Sequence, residues 1–457
     1  MDFKSLSRQY EAEFLNKVSQ ILEIPSVYEE HEKYPYGKPV AEALNKMLNI
    51  AHEDGFPTKN VDGHGGHVEF GHGNDLIGIL GHLDVVPAGS DWLTPPFEPT
   101  VRDGKLYARG AQDDKGPVMA AYIAMKLLKD QGFEPQKRIR LILGTDEERD
   151  WKGIEYYFKQ EQMPSVGFTP DASFPVIHAE KGLLDSYITY PSPSGNGDVD
   201  IIEVQGGDRL NMVPDQAVAR VRTKEDIIGS FEKYIKDLDV DGYMEQDGSE
   251  HTITFRGEAV HASKPEGGVN AITTLIGYLK ELPLGDSQKA FTREVYKAFT
   301  PIDGEGLGIK QEDEVSGSLT FNLGSIKWTD QACKLGFNLR YPVTAEYDEI
   351  FKVLKYVAEK KEGKLEIYDH LPSIYLEKNH PFVATLLSVY NRVTGEKASP
   401  QSMGGATYAR SLDAGVAFGA LFPDSPDTAH QRDEHVRVSD MVKAIEIYAE
   451  SIYELTK

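Results

Sequence analysis

Leu6, Tyr10, Phe14 and Val18 recur every four residues, a spacing that lines one face of a helix ending before Pro25. A second helical pattern runs from about Val40 to His52. The texture then changes. The apolar run in "DLIGILGHLDVVPAG", residues 75 to 89, reads as a buried strand, "KGPVMAAYIAMKLLKDQG" as a helix closed by Gly132, and "RIRLILGTDEE" as another strand. Strand, helix and strand at this spacing predict an α/β layered domain with a largely parallel sheet. In such sheets functional residues gather where strands end and loops begin.

Near "HAEKGLLDSYITYPSPSGNGDVDI" Pro, Ser, Gly and Asn accumulate and the alternation is lost, which places a boundary close to Glu180. From there to about Leu376 strands dominate, and two stretches look alike. "PDQAVARVR" is followed by the helical "IIGSFEKYIKDL", and "TDQACKLGFNLR" by the helical "EIFKVLKYVAEKK". A duplicated strand-turn-strand-helix unit would produce that pattern. Beyond it the α/β texture returns, with "GVAFGALF" as a buried strand and Met441 to Tyr453 as a closing helix. The expected organisation is a domain made of residues 1–180 and 378–457, interrupted by an inserted domain at 181–377.

At 457 residues the chain is long enough for two or three cores. Its 73 Asp and Glu outnumber 49 Lys and Arg, a formal charge of -24, which disfavours nucleic acid and anionic membranes as partners. The lone cysteine, Cys333, fits a reducing compartment, where it reads as a buried strand residue. Acidic residues in "MDFKSLSRQYEAEFLNKV" do not suit a signal peptide, and no apolar run approaches membrane-spanning length, so a cytoplasmic protein is expected.

Chemistry enters at five places. His82 and Asp84 share one side of the chain at the end of the first strand, although buried ionisable groups are costly unless something compensates them. A metal ion would do so, and Asp84 is placed to take the second N–H of a metal-binding His82. Asp113 and Asp114 precede a helix with Pro117 in its first turn; capping explains one aspartate, not two. Glu147 and Glu148, in "GTDEERD", follow an apolar strand, where a solvated charge run from Asp146 through Glu148 is the plain alternative. Asp171, in "GFTPDASFP", alone reads as a turn residue, and His430 follows the strand at 416–422. The glycines around His64, His67 and His72 read as a turn between strands with no tetrahedral set to complete.

Together the segments "GHLDVVPAG", "WLTPPFEPTVRDGKLYARGAQDDKGP", "GTDEE", "GFTPDASFPVIHAEKG", "GEAVHASKPEGGVNA" and "DTAHQRDEHV" resemble, in order, the di-zinc aminoacylase and carnosinase family of metallopeptidases, closest to its PepV-type bacterial dipeptidases. The resemblance implies a zinc-exopeptidase-like α/β/α catalytic domain with an inserted α+β lid, built from two ferredoxin-like halves. It implies that His82 and Asp171 bind one metal, Glu148 and His430 the other, and that Asp113 bridges both. Asp84 would orient His82, and Glu147 would act as general base on the water between the metals. Two histidines and three carboxylates suit Zn²⁺, with Mn²⁺ or Co²⁺ as substitutes.

His261, in "GEAVHASKPEGG", matches the histidine that stabilises the oxyanion. Asn211 and Arg340 match positions that grip the substrate and its carboxylate, and Gly404 and Gly405 lie in a glycine-rich loop lining that pocket. "AHQRDE" selects His430 rather than His435 as ligand. Relatives with an insert of roughly a hundred residues borrow the oxyanion histidine from a second subunit. The insert here is nearly double, so His261 is expected to act in cis and a monomer to be active. The expected activity is hydrolysis of unblocked dipeptides. An N-acyl amino acid deacylase or desuccinylase is the rival within enzymes, and a non-catalytic, metal-retaining peptide-binding protein the rival outside them.

Overall fold

The apolar run at 76–82 forms the strand Leu76–His82, buried along its whole length. In the computed structural model, which describes residues 1–457, it lies between two parallel neighbours, Arg138–Gly144 and Val166–Thr169. A strand covered on both faces has no solvent side on which to alternate, hence its unbroken apolar sequence. The sheet runs in the order Thr58–Asn60, Gly66–Phe70, Arg138–Gly144, Leu76–His82, Val166–Thr169, Gly415–Phe418, Val176–Glu180, Ile374–Tyr375. The helices Lys115–Asp130 and Val438–Thr456 pack on each other, and their Met119, Ile123, Ile445 and Tyr448 join Ile77, Ile79, Leu141 and Phe168 in the core. Each such side chain contributes about 1.5–3 kcal/mol by leaving water.

The register sets up the chemistry. His82 pairs with Gly144, so these two strands end level. Val166–Thr169 runs parallel beside them. The segments that follow, carrying Asp84, Glu147, Glu148 and Asp171, therefore leave from the carboxyl ends of neighbouring strands, on one side of the sheet. Two glycines permit close packing there. A Cβ on Gly81 would stand 2.3 Å from Val118 Cγ2 and 2.5 Å from Asp114 Oδ2, and one on Gly144 would stand 2.3 Å from the Tyr408 ring.

The chain separates into two compact units: Met1–Ala179 with Ile374–Ser402 and Ala406–Lys457, and Glu180–Ser373 with Met403–Gly405. The second unit is built on an antiparallel sheet in the order Asp241–Asp247, Glu250–Arg256, Gln216–Thr223, Val199–Gly206, Thr320–Trp328, Ala332–Tyr341, Gly182–Pro191, Lys364–Leu371. Its strand Gln216–Thr223 alternates buried and exposed positions, as a sheet covered on one face requires. The last four strands, with helices Asp286–Phe299 and Tyr347–Glu359 as crossovers, have the ferredoxin-like β-α-β-β-α-β order. The first four share that spatial order with the chain entering at a different strand. The halves join where Val204–Gly206 pairs with Ile326–Trp328. The suspected repeat is thus real: strand, strand and helix recur at Val199–Gly206, Gln216–Thr223, Ile228–Leu238 and at Thr320–Trp328, Ala332–Tyr341, Tyr347–Glu359.

One expected element differs. The first helix is two helices, Phe3–Gln9 and Glu11–Leu22, because the Tyr10 N–H turns back to Ser7 and Arg8 while its hydroxyl bonds Asp130 at 2.8 Å. The break lets Phe3 pack on Tyr453. No helix is long and apolar enough to cross a membrane.

Candidate metal centre

Five segments of the chain, at the carboxyl ends of the central strands and in the loops beside them, bring seven sequence-selected residues together. His82 is fully buried, and its Nε2 lies 2.9 Å from Asp113 Oδ1 and 3.5 Å from Asp171 Oδ2. His430 Nε2 lies 3.0 Å from Asp113 Oδ2 and 3.0 Å from Glu148 Oε1. Two triads result, His82–Asp113–Asp171 and Asp113–Glu148–His430, each with its ligand atoms within 4.8 Å of one another. Asp113 belongs to both and offers a different oxygen to each histidine.

His82 Nδ1 lies 2.9 Å from the main-chain carbonyl of Asp84 and 3.6 Å from its carboxylate. The carboxylate also accepts the N–H groups of Glu147 at 3.2 Å and Glu148 at 3.1 Å. One residue thus fixes the ring through its backbone and the glutamate turn through its side chain. The turn is closed further by Trp151, whose indole N–H donates to the Glu147 carbonyl at 2.7 Å. Asp114 sits at the N-cap position of helix Lys115–Asp130 without capping it; its Oδ2 accepts from the His82 N–H at 3.2 Å. Glycine at 81 leaves the room this contact needs.

The charge balance is lopsided. Withdrawal from water holds the Glu147 carboxyl well above its usual range, and Asp171, Glu148 and Asp113 reinforce this against the pull of His82. Withdrawal from water and then Asp113 push Asp171 up to about 7. Burial and then Asp171 hold Asp114 well above the carboxylate range. Hydrogen bonds to Asp113 and then Glu148 raise His430 to about 11. Burial opposes ionisation of Asp113, yet His430 and His82 hold its carboxyl below the usual range. So many carboxylates facing two imidazoles are a poor arrangement for a neutral core and a good one for divalent cations, which supply the missing positive charge. The donor set, imidazole nitrogen and carboxylate oxygen, suits the borderline ions expected from the sequence.

The other five selected residues lie in the second unit. The Asn211 carbonyl accepts from the Ala262 N–H at 2.9 Å, and Met212 forms a β-bridge with His261. His261 is exposed, with Nδ1 2.7 Å from Ser263 Oγ. Arg340 is buried, donates to the Gly404 carbonyl, and has its Nε 3.0 Å from Asn338 Oδ1. A Cβ on Gly404 would come within 3.3 Å of Ser263 Cβ, and one on Gly405 within 2.2 Å of Met403 Cε.

The sequence model described as peptidase family M20/M25/M40 matches residues 78–454, a span containing every residue named above as a ligand. The chain belongs to this family. It is accordingly a metallopeptidase, as the sequence motifs implied. It is 42% identical over 455 residues to "Putative dipeptidase YtjP" of Bacillus subtilis (strain 168), covering 97% of each chain. It is 41% identical over 469 residues to "Putative dipeptidase SAR1836" of Staphylococcus aureus (strain MRSA252), covering 99% of each. The fold is shared with the aminoacylhistidine dipeptidase of Vibrio alginolyticus, at TM-score 0.61 and 14% identity over 97% of this chain and 96% of that one.

Set against the M20 family motifs, several supporting residues escaped sequence reasoning. Glu434 and Arg109 form a buried ion pair at 2.6 Å behind the Asp113 loop. Asp185 accepts from Asn338 Nδ2 at 2.7 Å, and Asn338 in turn orients Arg340. The i, i+2 spacing of Asn338 and Arg340 on one strand was the available signal. Of the histidines set aside, His64 pairs with Tyr36 at 2.9 Å and His67 with Tyr157 at 2.8 Å, while His72 is exposed. His435 packs against Tyr107 with tilted rings and belongs to neither triad, and Cys333 is buried in a strand.

Proposed function

We propose that this M20 peptidase is a dipeptidase acting on unblocked dipeptides, with His82, Asp171, Asp113, Glu148 and His430 holding two divalent cations. The observation that carries the reading is Asp113, which presents one oxygen to each triad. The 41–42% identity to full-length relatives named as dipeptidases supports the substrate class. Zn²⁺ is the ion proposed, with Mn²⁺ or Co²⁺ able to replace it. Cations held there supply Lewis acidity to a water and to the scissile carbonyl.

The chain's own groups do the rest. Glu147 adds nothing to either triad and is free to accept the proton of the attacking water and pass it to the leaving amine. Asp84 holds Glu147 in place through the turn N–H groups. In the second unit, acting as a lid, His261 stabilises the oxyanion, and Arg340 with Asn211 grips the substrate carboxylate beside Gly404 and Gly405. The double-length insert, residues 181–377 by sequence pattern, provides His261 in cis, so that a cytoplasmic monomer suffices.

A panel of dipeptides set against N-acetyl and N-succinyl amino acids, with and without chelator, tests the reading. Chelator-sensitive turnover confined to the dipeptides is the expected result. Faster turnover of the acylated amino acids would replace it by a deacylase, and peptide binding without turnover by a non-catalytic binder.

A further inference from the structure

One buried carboxylate, four residues beyond His430, joins the two loops on which the shared ligand depends. Glu434 is fully buried, and its Oε1 accepts three main-chain N–H groups: Gly110 at 3.1 Å, Gln112 at 2.8 Å and Asp113 at 3.1 Å. Its Oε2 pairs with Arg109 Nη1 at 2.6 Å. Arg109 is buried too, and its Nη2 reaches the carbonyls of Pro87 and Ala88 at 3.4 Å, on the segment that follows Asp84. The main chain of Glu434 takes part as well, its carbonyl accepting the Ala108 N–H at 3.1 Å.

The strap is returned from the other side. Gln112 Oε1 accepts the Thr428 N–H at 2.9 Å and the Thr428 hydroxyl at 2.8 Å, while its Nε2 donates to Asp427 at 3.0 Å. The segment before His430 is thus tied to the residue before Asp113, and the segment after His430 to Asp113 itself. A buried ion pair of this kind adds little net stability over apolar packing, so its energetic purpose lies elsewhere. Three N–H groups converging on one oxygen leave the Asp113 backbone a single orientation.

We infer that Glu434 is a positioning residue: by gathering the Gly110, Gln112 and Asp113 N–H groups it fixes the Asp113 carboxylate so that one oxygen faces His82 and the other faces His430. The inference rests on the two-cation reading proposed above. It also ranks the two sites. Both sites use Asp113, but His82 and Asp171 stand at strand ends that Glu434 does not touch. His430 rides on the strapped loop, so the Asp113–Glu148–His430 site is the one that weakens more when the strap is cut.

The full-length chain, stripped and titrated with Zn²⁺, tests this by calorimetry and by metal analysis after gel filtration. The parent is expected to retain two ions. Glu434→Ala should weaken one ion only slightly and bind the second about 10- to 100-fold more weakly, as loss of an outer partner to a ligand typically does. Glu434→Gln, which keeps an acceptor for the loop but sets an amide NH₂ against Arg109, should show the same split in milder form. Combining it with Arg109→Met removes that clash and should restore the second ion, a rescue a merely stabilising role would not give. If Glu434→Ala does not fold, the Gln variant and its rescue carry the test. Two parent-like affinities in a folded Glu434→Ala or Glu434→Gln protein would overturn the inference. A parent chain that binds fewer than two ions would instead overturn the two-cation reading on which it stands.

Discussion

Replacing Asp84 by asparagine removes one charge and one acceptor from the turn that carries both glutamates. The native carboxylate serves two N–H groups, Glu147 through Oδ1 at 3.2 Å and Glu148 through Oδ2 at 3.1 Å. Whichever way the new amide sits, its NH₂ faces one of them. A hydrogen bond to a charged group contributes about 1.5–3 kcal/mol, and leaving a buried N–H unpaired costs about 1–3 kcal/mol. If about 2–4 kcal/mol of positioning is lost at the base, kcat falls about 30- to 1000-fold, at 1.4 kcal/mol per factor of ten. The metal content should survive, because His82 Nδ1 is served at 2.9 Å by the main-chain carbonyl of Asp84, which the substitution leaves in place. Steady-state hydrolysis of a dipeptide at saturating substrate, with metal analysis of the same sample, reads both quantities. A kcat within threefold of the parent would refute the role given to the turn. Loss of one ion would show that the carboxylate, 3.6 Å from Nδ1, is what orients the imidazole.

Three further outcomes follow from the same geometry. Glu147→Gln should lower kcat by about 10²- to 10⁴-fold while both cations stay bound, and undiminished turnover would remove Glu147 from the role of base. With His430 held near 11 by Asp113 and Glu148, and His82 raised well above its usual value by its carboxylate partners against the effect of burial, both imidazoles of the apoprotein carry protons at neutral pH. Metal binding must expel them, so affinity falls as pH falls, and calorimetry in buffers of different ionisation heat should report about two protons released per chain from the imidazoles, plus the share that Asp171 holds with its carboxyl at about 7; none would contradict the ligand set. Burial and then Arg140 push His67 down to about 4, so it is neutral when folded and protonated when unfolded below pH 6.5. Its contribution, up to about 3 kcal/mol, is complete above pH 6.5 and is lost as pH falls toward 4. Urea midpoints should drop across that window, and the slope should flatten in His67→Gln.

Much of the candidate site was legible because its residues stand at places the sequence marks: an apolar strand that stops at His82, another that stops before Glu147, a helix start at Asp113. Motif order supplied the pairing that periodicity could not, since Asp113 and His430 meet only after the chain has passed through the whole insert. The repeat in the second unit was visible in two helices following two similar strands, and its four-strand order was not, because sheet neighbours such as Val204 and Trp328 are far apart in sequence. Glu434 and Arg109 were missed for a related reason. In "AHQRDEH" Glu434 looks like one more surface charge, and its partner lies 325 residues away. The i, i+2 spacing of His82 and Asp84 marked them as neighbours but could not show that the main-chain carbonyl of Asp84, at 2.9 Å from Nδ1, comes nearer than its carboxylate at 3.6 Å.

Crystals of the zinc-loaded protein, with anomalous data collected on either side of the zinc edge, test the central claim most directly. Two peaks are predicted, each about 2.0–2.2 Å from a different oxygen of Asp113, one also bound by His82 and Asp171 and the other by Glu148 and His430. A single peak, or two peaks that do not share Asp113, would contradict the account.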